Sequence, residues 1–311
     1  MPQLQPFAGW RFDPGKADYA LVTMPPSEEV DEATRDALYR RNDRNAVRLI
    51  MGRPFSSDTE YDNADSRAAA HLDAWRAEGL FIQDRPAVYV CQQDFTRGGQ
   101  PAACRGFFAR MLLAAPENGG AFPHAALRED SVARHLARIR ATRANLEPVV
   151  GLLTDPSGDI SRTLYGMCQY PPVADFADAA GTRQRFWVLD APEQAPAFCQ
   201  GCSQEQVIIA AGHQRYAAAI RYRDAVREAL RQAGQPVPEY GELAEDYVMA
   251  YVVPDGDPGL ELRPLHRLLH GAAGTEGLVK RLETDFVVEK APTAENLLAA
   301  LAAAPGPAFG L

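Results

Sequence analysis

No stretch of this 311-residue sequence is apolar for the roughly 18–20 residues that a membrane-crossing helix needs. The opening, Met1-Pro2-Gln3-Leu4-Gln5-Pro6, has no basic segment followed by an apolar one, so no signal peptide is visible and the expected location is the cytoplasm. A basic excess is also missing. The net charge is −9, whereas a sequence-independent nucleic-acid binder draws its affinity from neutralising phosphates. Cysteine is scarce and odd in number: Cys91, Cys104, Cys168, Cys199 and Cys202 do not make a disulfide framework in a long cytosolic chain. The common nucleotide loops, G-x-x-x-x-G-K-[ST] and G-x-G-x-x-G, do not occur, nor does the G-x-S-x-G hydrolase elbow. Internal repeats and low-complexity segments are absent too.

What is present is 46% hydrophobic residues, enough for a sizeable core. The length suits one large domain or two lobes, about 1–155 and 156–311. The pattern predicts an acidic helix near Glu28–Arg41, a short apolar run at Ala46–Met51 and a helix over Ala64–Gly79. Strands are expected at Ala87–Gln92 and Gly106–Leu113, with Gly98-Gly99 suited to a hairpin turn between them. An Arg-rich helix follows at Leu127–Asn145, then a strand at Pro148–Thr154 and a loop-like stretch over 170–184. Further strands are expected at Phe186–Leu189, Gln206–Ala210 and Tyr247–Val253, and an Ala-rich helix at Leu297–Ala304. Strands and helices mix without a strict βαβ rhythm, so the predicted class is α+β, a mixed sheet with surrounding helices.

The clearest helix is His213–Ala233. Ala218, Tyr222, Ala225, Val226, Ala229 and Leu230 fall on one side of it, Arg221, Asp224, Arg227, Glu228 and Arg231 on the other, and Gly234 stops it. It follows an apolar β-branched run and the break Ala211-Gly212. Its first N–H groups have no intrahelical partners, and the helix dipole adds partial positive charge there. Gly212 lets an anion approach the backbone, Arg215 offers a fork matched to phosphate, and His213 can donate or exchange a proton. From these residues alone, a phosphate seat and a plain helix start with Arg215 paired to a nearby acid are both open.

Cys199-Gln-Gly-Cys202 could supply two zinc ligands or a redox pair. Four zinc ligands need partners, and although His266 and His270 are four apart, nothing else fixes a metal geometry. The basic run Arg128, Arg134, Arg138, Arg140 and Arg143 reads as a solvated helix face paired with acids.

The stretch Ile208-Ile-Ala-Ala-Gly-His-Gln-Arg-Tyr-Ala-Ala-Ala219 resembles the (I/V)-x-D-G-H-H-R-Y-x-A-A signature of the bacterial and archaeal domain-of-unknown-function family numbered 1015. His124 with Arg140-Ala-Thr-Arg-Ala-Asn145 and Pro148, Leu262-Arg-Pro-Leu-His-Arg-Leu268, and the entry Pro6-Phe-Ala-Gly-Trp-Arg-Phe12 with Pro25-Pro26 resemble further elements of that family, in order along nearly the whole chain. A similar motif occurs in free serine kinase and, more remotely, in sulfiredoxin and the ParB partition proteins, where the Gly-x-x-Arg turn holds nucleotide phosphates. The resemblance implies a ParB/sulfiredoxin-like core. It implies phosphate or nucleotide binding by Gly212, Gln214, Arg215 and Tyr216, catalytic roles for His124 and His213, and accessory roles for His266 and Arg267.

The departures bear on the chemistry. The family's Asp-Gly-His-His-Arg is Ala211-Gly-His-Gln214-Arg here, its His-Glu-x-Thr is His124-Ala125-Ala126-Leu127, and its Pro-Pro-Tyr-Asp opening is Pro25-Pro26-Ser27-Glu28. Two acidic positions, 211 and 125, are thus apolar, although transfer to a hydroxyl needs a base and usually a metal-binding acid. The first expectation is a nucleotide-dependent phosphotransferase of the free-serine-kinase type acting on a small hydroxylated metabolite, using ATP or ADP and Mg²⁺, with metal ligands not identifiable. The second is a non-catalytic nucleotide- or phosphate-binding protein. A DNA-binding ParB-like role is disfavoured by the charge.

Overall fold

The computed structural model describes residues 3–114, 120–123, 125–261, 277–306 and 308–310. The chain enters through β1 (Leu4–Gln5) and β2 (Trp10–Phe12), then α1 (Tyr19–Val22), a 3₁₀ turn (Ser27–Glu29), α2 (Glu32–Arg41), α3 (Val47–Ile50) and α4 (Ala64–Ala77). Next come β3 (Phe81–Gln83), β4 (Val88–Arg97) and β5 (Gln100–Leu112), followed by α5 (Glu129–Thr142), β6 (Val149–Leu153) and α6 (Asp159–Met167). Then follow β7 (Ala174–Ala177), β8 (Arg183–Leu189), α7 (Gln194–Cys202), β9 (Val207–Ala211), α8 (His213–Gln232) and β10 (Tyr247–Pro254).

The main sheet has the order β7-β8-β4-β5-β10-β6-β9, with β1 also paired to β5. All its pairings are antiparallel except β10 with β6, so the sheet is mixed and the class is α+β. The central hairpin β4–β5 closes through Gly98-Gly99, whose φ values of 56° and 79° are the left-handed pair that a two-residue turn demands. Period-two alternation places Val88, Val90, Phe107, Ala109, Met111, Val149, Leu153, Val207, Ile209, Val248, Ala250 and Val252 in one buried cluster. Each fully buried aliphatic or aromatic side chain there contributes about 1.5–3 kcal/mol of transfer free energy.

A second cluster lies beside the sheet, where Leu72 and Trp75 of α4 meet Val22, Leu49, Ile50 and Leu80. Helix α4 starts in a reciprocal capping box, Asn63 with Ser66. Residues Met1–Glu261 make one compact unit and Leu262–Leu311 another; the described part of the latter holds α9 (Leu278–Leu282) and α10 (Ala294–Ala303). Within the first unit, the main sheet takes strands from both sides of residue 155.

Three expectations about elements change. The acidic helix begins at Glu32 rather than Glu28, because Asp31 accepts from the Thr34 N–H and fixes the start there. Glu28 is left in the preceding 3₁₀ turn. The run Ala46–Met51 forms the short helix α3. The stretch 170–184, read as loop, contains β7 and the start of β8, held by Arg183–Asp175 across the pair. Its polar composition hides an edge strand with one solvated face. No helix among the described residues is long and apolar enough to cross a membrane.

Candidate functional site

Strand β9 ends at Ala211, and Gly212 turns the chain into α8 with φ 85°. No side chain caps the helix, so only backbone geometry orders its first N–H groups. A Cβ at position 212 would lie 2.9 Å from Arg215 Nε and 3.0 Å from its Nη2. The guanidinium therefore folds back over the turn, and glycine is required both for the left-handed backbone and for this close approach.

Arg215 is 9% exposed. Its Nε donates to the Pro148 carbonyl at 3.0 Å, and its Nη1 donates to Glu28 Oε1 at 2.6 Å. Glu147 Oε1 lies 3.9 Å from the same Nη1 and accepts from the Ser27 N–H at 3.4 Å. Nη2 makes no hydrogen bond among the described residues. Segments 187 and 67 residues away in sequence thus converge on one arginine. Burial alone would raise the Glu28 carboxyl, but the charge and hydrogen bonds of Arg215 outweigh it and hold the group below the usual carboxylate range. Glu28 nevertheless keeps 53% of its side chain in solvent, against 12% for Glu147.

His135 of α5 feels the same charges. Burial and then the positive charge of Arg215 push its imidazole down to about 4, with Glu28 opposing weakly. At neutral pH it is an uncharged imidazole beside an ion pair. Helix α5 is fastened along α8 by Arg221, whose Nη2 donates to Glu129 at 2.9 Å. Three arginines of the basic run are paired with acids: Arg128 and Arg134 with Asp130, and Arg138 with Asp65.

The remaining expected residues divide. His213 opens α8 and is buried, and Gln214 beside it is half-buried. Tyr216 lies in the core cluster; its hydroxyl donates to the Ala114 carbonyl at 2.7 Å and accepts from the Ala114 N–H. Its hydrogen bonds bind the end of β5 to α8. His124, His266 and Arg267, with His270, lie outside the described residues. Cys199 and Cys202 are buried free thiols on α7, both pushed up by burial, Cys199 to about 12. That is the environment of an inert core thiol. No group of three or more His, Cys, Asp or Glu side chains that could hold a metal occurs among the described residues.

Sequence reasoning counted the acids missing at Ala211 and Ala125 and passed over Glu28, Glu147 and His135. The signal for Glu28 was available. It stands where the resembled opening has Asp, one carboxylate in place of another. Glu147 immediately precedes Pro148, already part of the resemblance. His135 carries no local signal, since its proximity to Arg215 comes only from the packing of α5 on α8.

Chemically, an uncapped helix start, one arginine donor without a bond and two carboxylates make an oxygen-rich site. An arriving phosphate would compete with Glu28 for Arg215. The carboxylate oxygens of Glu28 and Glu147 are the donor type that Mg²⁺ takes, usually with one or two carboxylates beside substrate phosphates.

No curated protein and no solved structure matches the chain. A family model does match, over residues 4–305. The chain therefore belongs to the family described as protein of unknown function (DUF1015).

Proposed function

We propose that this protein is a phosphotransferase of the free-serine-kinase type, on a ParB/sulfiredoxin-like core, that moves the terminal phosphoryl group of ATP or ADP to a small hydroxylated metabolite. The observation that carries the reading is the meeting of Glu28 and Glu147 at Arg215, which supplies acids where positions 211 and 125 have none. Gly212, Gln214 and the backbone of 212–215 hold phosphate oxygens at the helix start. Arg215 exchanges Glu28 for phosphate through Nη1 and Nη2, which frees the Glu28 carboxylate from the charge that depresses it. Glu28 then accepts the hydroxyl proton as the hydroxyl oxygen bonds to phosphorus and the bond from phosphorus to the nucleotide oxygen breaks. The family resemblance implies catalytic roles for His213 and His124 at the transferred group. Mg²⁺, held by Glu147 and phosphate oxygens, would neutralise charge developing on the transferred group.

A second reading, phosphate or nucleotide binding without transfer, is favoured by one observation. Ala211 and Ala125 stand where the family's motifs have acids, so the helix start keeps its phosphate-binding features without those carboxylates.

Thermal melting with ATP, ADP and phosphoserine separates the readings. A ligand at 100 times its Kd raises stability by about 2.7 kcal/mol. If no phosphorylated ligand moves the midpoint, both readings fail. Binding without transfer of labelled phosphate to serine or related alcohols leaves the second reading alone. With transfer, Glu28→Gln should lower turnover about 10²–10⁴-fold while nucleotide still binds.

A further inference from the structure

A cavity of about 230 Å³ opens among α2, α3 and α4, away from the α8 helix start. Every ionisable group on its wall apart from the Tyr39 phenol is a base: Arg40, Arg48, Arg53, Arg67 and His71. The acids that pair with them stand outside the wall. Arg53 Nε donates to Asp36 at 2.9 Å, Arg48 Nη2 to Asp43 at 2.8 Å, and Arg67 pairs with Asp62 at 2.8 Å and with Asp58 at 2.9 Å. Asp43 is 93% exposed, so its pull on Arg48 is screened by water, whereas Asp58, at 21%, and Asp36, at 37%, hold Arg67 and Arg53 more firmly.

Donors remain unused. Arg48 Nε is buried without a hydrogen-bond partner, which costs free energy unless something from outside the chain accepts from it. Arg40 forms no ion pair among the described residues. The arginines are also held in place. The guanidinium carbons of Arg48 and Arg53 lie 4.5 Å and 4.3 Å from the Tyr39 ring centre, which fixes their planes before any ligand arrives. His71 reports the local field: burial, then the charges of Arg48 and Arg44, push its imidazole down. Several fixed guanidinium forks around one space suit phosphate, which has more oxygens and more charge to share among them than a single carboxylate. The volume is below the roughly 300–1,000 Å³ of drug-sized pockets, which suits a phosphate head on a small body.

We propose that this cavity is a second anion site, which binds a compact phosphate-bearing small molecule through Arg40, Arg48, Arg53 and Arg67. It is independent of the reaction proposed at α8.

The test uses the full chain and inorganic pyrophosphate, with citrate at matched ionic strength as the carboxylate control. Imidazole NMR signals of His71, assigned with His71→Gln, report this cavity; those of His135 report the α8 start. Pyrophosphate should shift the His71 signals saturably. Arg40→Gln, at an exposed residue without an ion pair among the described residues, should keep the melting temperature and weaken that response at least tenfold, and Arg48→Gln should weaken it at least as much. Glu28→Gln should leave it unchanged. The proposal is overturned if the His71 signals stay still to millimolar pyrophosphate, or if both arginine variants bind as the parent does. Citrate binding as tightly as pyrophosphate would overturn the assignment to phosphate. A response at His135 alone would place the anion at α8 and leave this cavity without a ligand.

Discussion

Helix α8 carries a buried arginine near each end, and the two are held in opposite ways. Near the C-terminal end, Arg227 meets Asp246, whose side chain is wholly buried, through Nε at 2.9 Å and Nη2 at 2.7 Å. Asp246 also accepts from the N–H groups of Gly241 and Leu243, and Arg227 donates to the carbonyls of Pro238 and Glu239. Both partners are enclosed and their bonding capacity is well used. At the N-terminal end, Arg215 reaches Glu28 through one nitrogen, and that carboxylate is half in water. Two-pronged and enclosed against one-pronged and half-solvated is the difference between a clamp and an exchangeable contact. Only the second has a carboxylate that solvent already reaches.

The largest effect expected is at the clamp. Asp246→Ala leaves Arg227 buried without its partner and should cost roughly 3–5 kcal/mol in chemical denaturation. Gly212→Ala should cost about 1–2 kcal/mol for the left-handed backbone alone and displace the Arg215 guanidinium as well. Glu28→Gln should cost no more than about 1 kcal/mol, because a half-exposed carboxylate is screened. A loss as large as that of Asp246→Ala would make Arg215–Glu28 a second clamp and end the exchange mechanism.

A pH dependence probes the Arg215 end in a different way. The folded-state pKa of His135 lies below its unfolded value of about 6.5. The stability it carries is therefore full above about 6.5 and is lost as pH falls towards about 4. Between pH 7 and 4.5, the melting temperature of His135→Asn should fall less than that of the parent. Equal slopes would show that His135 is not held neutral beside Arg215.

The parts of the fold that were legible are those whose signals are local. The Gly98-Gly99 turn names its own hairpin, and the spacing of Ala68, Leu72 and Trp75 names α4. Strand β7 was hidden because a solvated edge strand has no apolar run. At the site, Gly212 and Arg215 were visible because a helix start is written in adjacent residues. His135 was not, and neither was the pairing of Glu28 with Arg215, because both arise from tertiary packing that local spacing does not encode.

Strand β9, which leads into that helix start, is the terminal strand of the sheet, and Phe122 bridges its outer edge. The Phe122 N–H donates to the Val207 carbonyl at 2.9 Å, and the Ile209 N–H donates to the Phe122 carbonyl at 2.8 Å. Terminal strands with open backbone groups invite pairing with other molecules and, through it, aggregation. This clip occupies the middle of the edge, beside an Ile208 side chain that is itself 41% exposed. It gives a short β-branched strand a means of staying solitary in a crowded solution.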